Sequence, residues 1–188
     1  MPKRRIYFII TILFSLFIAS IARAEVGDET AYILNTFLFL VMGFLVMWMA
    51  AGFCMLESGM VTSKSVSTIA AKNIGLYAIA GIAFWLCGYN LAYTIEEGGF
   101  LGTFSPWSDN SSLLTGYSDA SDWFFQMVFC ATTISIVSGT LAERIKIWPF
   151  FIFAAVLTGL IYPIEMGWQW GGGFLSTLGF SDFAGSTL

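Results

Sequence analysis

The sequence predicts an all-α integral membrane protein, a polytopic helical bundle. Three observations lead there. Hydrophobic residues make up 57% of the chain and charged residues only 11%, against about 25% charged in a typical soluble domain. Four stretches each hold roughly 20 mostly apolar residues, the length a helix needs to cross the hydrocarbon core of a bilayer. The few basic residues after the N-terminus sit in short connecting segments or at the start of an apolar stretch, as the positive-inside rule expects.

Composition also narrows the chemistry. The 188 residues contain no His, so they hold no His-based zinc site, His triad or His proton shuttle. The net charge of −4 is spread over loops and implies no nucleic-acid partner. No nucleophile–base pair, Walker loop, metal-ligand cluster or dinucleotide fingerprint is visible. The sequence therefore predicts neither an enzyme nor a metal or cofactor site. Cys54, Cys87 and Cys130 lie inside apolar stretches and read as small buried hydrophobes; their spacing suggests no disulfide framework.

The elements follow in order. Residues 1–24 read as a signal peptide. Lys3-Arg4-Arg5 is a positive n-region, Ile6 to Ser20 an apolar h-region, and Ala22-Arg23-Ala24 a small-x-small cleavage site. Cleavage after Ala24 places the mature N-terminus outside a bacterial inner membrane; an uncleaved anchor is the alternative. Residues 25–188 then form one membrane domain. Its spans are expected at roughly 31–56, 66–93, 123–142 and 147–166, with a fifth starting near 183.

Lys64 and Lys72 flank the first turn, and Arg144 and Lys146 the turn between the third and fourth spans, so both turns should be cytoplasmic. Residues 94–122 lack Lys and Arg and carry Glu96, Glu97, Asp109, Asp119 and Asp122, so that loop and residues 167–182 should be external. Trp123, Trp148, Trp168 and Trp170 fall near span ends, as an aromatic belt would. Small residues such as Gly75, Gly81, Gly88, Ala131, Ser135 and Gly139 allow close helix packing in lipid.

Three places could carry function. Phe125 and Phe129 are four apart, so they stack on one helix face. Two rings at a pore mouth would offer a cation a negative face and then a closure; packing against neighbouring helices or lipid is the plainer reading of the spacing alone. Trp170 precedes Gly171-Gly172-Gly173 and is either a cation–π face or an ordinary belt residue beside a flexible loop. Asp182 precedes the apolar Phe183-Ala184 and suits an N-cap, with a distant electrostatic pull on cations as the functional alternative. Glu57, Glu165 and Glu143-Arg144 read as snorkelling or interfacial groups, and Lys72-Asn73 as an interface anchor.

The series of motifs resembles the ammonium transporter family (Amt/Mep/Rh). The matching stretches run in order with family spacing. They begin with Ala51-Gly52-Phe53-Cys54-Met55-Leu56-Glu57-Ser58-Gly59, Lys72-Asn73 and Phe84-Trp85-Leu86-Cys87-Gly88-Tyr89. Phe125-Gln126-Met127-Val128-Phe129 and Ile136-Val137-Ser138-Gly139-Thr140-Leu141-Ala142-Glu143-Arg144 come next. Tyr162-Pro163, Trp170-Gly171-Gly172-Gly173 and Asp182-Phe183-Ala184-Gly185-Ser186-Thr187 complete the series.

The resemblance implies the first half of an eleven-helix inverted-repeat fold, a homotrimer with one pore per subunit, and ammonium transport. It implies that Phe125 and Trp170 form the external substrate-binding site, that Phe129 is the pore gate and that Asp182 supports the site structurally. The family's pore histidines would lie beyond Leu188, so the chain reads as an N-terminal portion. The resemblance also admits a PII-type regulatory partner. A second function is compatible with the same motifs: an ammonium sensor, in which the membrane module drives a signalling domain.

Overall fold

The computed structural model describes residues 27–185 and 188; the expected signal peptide lies outside them. Among the described residues the regular structure is helical. Four of the described segments are long and apolar enough to cross a membrane: Asp28–Met60, Ser63–Tyr93, Asp119–Thr140 and Ile147–Thr177. The expected polytopic helical membrane fold is therefore what the chain forms. Near residue 183 the structure has a short 3₁₀ turn, Phe183–Gly185.

Helix α1 (Asp28–Met60) has 33 residues, about 50 Å at 1.5 Å per residue. That exceeds the roughly 30 Å of bilayer hydrocarbon, so α1 tilts or projects. One side of it is bare and apolar, with Phe37, Phe44, Trp48 and Met55 exposed. In water such a face would aggregate; lipid or partner helices suit it. Its other side packs on α4 (Asp119–Thr140). The approach depends on Gly43, where a Cβ would meet Phe124 Cε1 at 2.7 Å.

The second span is α2 (Val66–Ala83), a π turn at Phe84–Gly88, and α3 (Tyr89–Tyr93). The fourth repeats that plan: α5 (Ile147–Val156), a π turn at Leu157–Ile161, α6 (Tyr162–Gln169), then a break before the short α7 (Phe174–Thr177). The two π turns meet. A π turn disturbs the regular carbonyl ladder, and an unpaired carbonyl in hydrocarbon costs several kcal/mol. Here thiols act as donors: Cys87 Sγ to Gly159 O at 3.3 Å, and Cys130 Sγ to Thr158 O at 3.2 Å. Both cysteines are buried, as their apolar surroundings suggested, yet they also serve as weak hydrogen-bond donors. Around them Leu76, Ala80, Phe84, Ile134, Phe150 and Ala154 form the core.

The bundle has an acidic end and a basic end. At the acidic end the loop after α3 clasps the loop after α6. Gly98 N donates to Gly172 O at 3.3 Å, Phe174 N to Gly99 O at 3.0 Å, and Trp168 Nε1 to Phe100 O at 3.0 Å. Phe100 and Phe174 stack with centroids 4.5 Å apart. These contacts fix where the chain leaves α6.

At the basic end Glu143 adopts a left-handed φ of 59° and turns the chain toward α5. Its carboxylate accepts the Thr62 hydroxyl and, at 3.2 Å, the Thr62 amide. Hydrogen bonds from the Thr62 and Ser65 hydroxyls, then from the Thr62 amide, hold Glu143 below the usual carboxylate range. A lowered folded-state pKa contributes stability above the unfolded value and loses it as pH falls through the folded one. Protection of the Thr62 amide, corrected for intrinsic exchange, should therefore fall as pH drops below the ordinary carboxylate range. Glu143→Gln should remove that step; a step that survives the substitution would assign it to another group.

Candidate functional site

A cavity of about 380 Å³ opens between α4, α6, Gly185 and Leu188. Phe125, Gln126, Phe129, Tyr162, Met166 and Trp170 line most of it. The four-residue spacing on α4 brings the Phe125 and Phe129 rings to 5.1 Å, edge to face at 80°. Phe39 of α1 packs against Phe125 at 5.3 Å, and Tyr117 against Phe39 at 5.0 Å. The Phe125 ring is thus held from a neighbouring span rather than by its own helix alone.

Trp170 follows the last residue of α6 and is 49% exposed. Its indole Nε1 donates to the buried Asp182 Oδ2 at 3.2 Å. Gly172 has φ of 80°, a conformation that favours glycine, and it helps the chain leave Trp170. The structure thus brings Phe125, Phe129 and Trp170 onto one cavity, with Asp182 bonded to the edge of Trp170. Asp182, read from sequence as an N-cap, precedes the Phe183–Gly185 turn and anchors the indole.

Two polar clusters carry residues that sequence reasoning passed over. Asp122, counted there among loop acids, lies in the first turn of α4 and is buried. Its Oδ2 accepts the Tyr89 hydroxyl at 2.7 Å, and its Oδ1 accepts Gln126 Nε2 at 3.2 Å. Trp107 packs beside Tyr89, and Trp123 packs on Trp107 with ring centroids 5.5 Å apart. The signal was present as Asp122 and Gln126 four apart, one helix face.

The second cluster lies near the basic end, between α1, α2 and α4. Glu57, read as snorkelling, is 1% exposed. Its Oε2 sits 2.9 Å from Lys72 Nζ and accepts Asn73 Nδ2 at 2.9 Å, while Oε1 accepts the Ser138 hydroxyl. Lys72 also donates to Ser138 O at 3.1 Å and lies 5.2 Å from the centre of the Phe150 ring. Gly139 lies beside Glu57: a Cβ there would make an ordinary van der Waals contact with Glu57 Cγ at 3.7 Å. An acid and a base inside adjacent apolar spans invite such a pair.

The charges are segregated. From Asn73 to Glu143, and again from Ile147 to Leu188, the sequence has no Lys or Arg. Glu96, Glu97, Asp119, Asp122, Glu165 and Asp182 all fall in those stretches. A cleft lined by one sign of charge concentrates counter-ions at its mouth. Among the described residues no group of His, Cys, Asp and Glu is arranged to hold a metal. What the cavity offers a ligand is aromatic faces and oxygen acceptors, which suits a small cation.

Comparison with known proteins identifies the family. A profile described as Ammonium Transporter Family matches residues 37–188. Ammonium transporter Amt2 of Archaeoglobus fulgidus is 41% identical over 161 residues, covering 78% of this chain and 33% of that protein. A solved structure of a sensor Amt protein superposes with TM-score 0.73 at 30% identity, covering 81% of this chain and 40% of that one. Mep2 of Candida albicans has TM-score 0.69 at 24% identity, over 86% of this chain and 37% of that one, and shares the fold. The chain thus spans about a third of the length of the curated relative and two-fifths of the sensor structure. On the profile match and these identities, the chain is a multi-pass membrane protein that belongs to the ammonium transporter family.

Proposed function

We propose that this chain supplies the outer entry of a pore that takes up ammonium, with the acidic end facing outward. The observation that carries the reading is the convergence of Phe125, Phe129 and Trp170 on one cavity at the end of the molecule without positive charge. Ammonium arrives hydrated and drawn by the acidic groups. The Trp170 and Phe125 faces partly replace its water, each face offering roughly 0.5–2 kcal/mol depending on desolvation. Asp182 holds the indole edge and keeps that face in position. Beneath, the Phe129 ring closes the way to a hydrated ion, and an intact charge below it is costly in the low dielectric. Separation of ammonia from its proton at that depth would reject potassium, which has no proton to give.

The membrane is the bacterial inner membrane, with the mature N-terminus outside and Lys64, Arg144 and Lys146 in the cytoplasm, on the charge asymmetry of the loops. Family membership supports a homotrimer, and a PII-type regulator docking on the cytoplasmic face.

The test is methylammonium uptake by proteoliposomes of the full-length gene product. Trp170→Leu should raise the half-saturating concentration by about 2–30-fold, the span of one lost cation–π face. Trp148→Leu, at an exposed belt position of α5, should not. Absence of uptake by the parent protein, or an unchanged half-saturation in Trp170→Leu, would reject the proposal.

A further inference from the structure

We infer that Asp122 sets the hydrogen-bonding polarity of the vestibule through Gln126, making Gln126 Oε1 an acceptor for cations that carry N–H groups. The inference rests on the cation-binding reading of the cavity and adds to it a selectivity device.

The argument is one of donors and acceptors. A carboxylate can only accept hydrogen bonds, whereas a Gln side chain has one donating and one accepting end. Asp122 Oδ1 lies 3.2 Å from the Gln126 amide, so the amide must present its NH₂ group there. That assignment leaves Oε1 as the end available to the cavity that Gln126 lines. Flipping the amide would set its oxygen against a carboxylate and lose the bond. The carboxylate is itself fixed: Tyr89 donates to its other oxygen at 2.7 Å, and Tyr89 is wedged against Phe84, Tyr93 and Trp107. Asp122 is buried, so it does not touch the ligand; it is a positioning residue, and Gln126 is the contact.

The consequence is chemical discrimination. Aromatic faces attract any cation of suitable size. A carbonyl-type oxygen beside them adds a directional bond only for a cation with N–H donors. Ammonium and methylammonium gain it; tetramethylammonium does not. Gln126 lines the same cavity as Phe125 and Phe129, so all three can meet one ion there.

The experiment is calorimetric titration of the purified full-length gene product with methylammonium and, separately, tetramethylammonium. Gln126→Leu should weaken methylammonium about tenfold and leave tetramethylammonium within twofold. Asp122→Asn, near-isosteric and still able to accept from Tyr89, should weaken methylammonium severalfold by letting the Gln126 amide turn over. The double variant should be no worse than Gln126→Leu alone, because the acid acts only through the amide. Equal losses for both cations would make these residues merely structural and overturn the inference. So would unchanged methylammonium binding in Gln126→Leu while Trp170→Leu weakens both cations; the vestibule would then stand without the selectivity device. A parent protein that binds neither cation would overturn the vestibule reading and this inference together.

Discussion

Lys72→Met should destabilise the folded protein by about 3–5 kcal/mol, the usual penalty for stranding one charge of a buried ion pair. Glu57 is 1% exposed, and without the ammonium 2.9 Å away its charge would face Asn73 and Ser138 alone. Those two donors remain, but neither carries a charge. The loss is a large share of the 5–15 kcal/mol that separates most folded proteins from unfolded ones. It should appear as a lower midpoint of thermal unfolding in detergent, and as reduced folded yield. Glu57→Gln strands Lys72 instead, although Ser138 O at 3.1 Å and the Phe150 ring at 5.2 Å still accept it.

The double variant Glu57→Leu with Lys72→Met should recover most of the loss, since an apolar pair of similar volume can replace a buried ion pair at little cost. A Lys72→Met protein that melts with the parent would show the pair to be hydrated and unimportant. Because α1, α2 and α4 each supply part of this cluster, what it contributes beyond its net energy is register. Glu57 is satisfied at one axial setting of the three helices, and a slip by one turn would leave it unpaired in hydrocarbon. That requirement bears on the vestibule too, because Phe125 and Phe129 ride on the same α4 as Ser138.

The fold was legible where the physics is local or set by the bilayer. Apolar runs of about 20 residues predict spans because hydrocarbon thickness is fixed, and the described residues form four long apolar helical segments. The spacing of Phe125 and Phe129 predicted a stacked pair because the helical repeat places i and i+4 together. Two features were not legible, and a third was overlooked. Glu57 and Lys72 lie on different helices, so their pairing is a fact of register that no local pattern encodes. The π turns at Phe84–Gly88 and Leu157–Ile161 leave no mark in composition, and the thiols that donate to Thr158 O and Gly159 O read simply as apolar. Asp122 looked like one more loop acid until the first turn of α4 carried it under Tyr89. Family motifs pointed to Trp170 and Asp182, yet the bond between them arises from the path of the intervening loop.

Gly171→Ala should be more damaging than any change at an exposed ring, and the reason lies in what it would strike. A Cβ on Gly171 would overlap Ala92 O, and would stand 3.0 Å from both Ala92 C and Gly167 Cα. All three obstacles are backbone, so no rotamer change can make room. Relief requires α6 to move away from α3, which loosens the clasp that Gly98 and Gly99 make with Gly172 and Phe174. Overpacking of a tight interior commonly costs about 1–3 kcal/mol, occasionally more, and a rigid partner puts this site at the upper part of that range. The displacement would also carry the adjacent Trp170 out of line with Phe125. Gly171→Ala should therefore lower the unfolding midpoint and weaken tetramethylammonium binding along with methylammonium, unlike Gln126→Leu. Gly52→Ala is the matched control: nothing lies within 4 Å of a Cβ there, and alanine favours the helix, so its midpoint should hold or rise. If the two alanine variants melted and bound alike, the close approach of α6 to α3 would not be what holds Trp170 over the cavity.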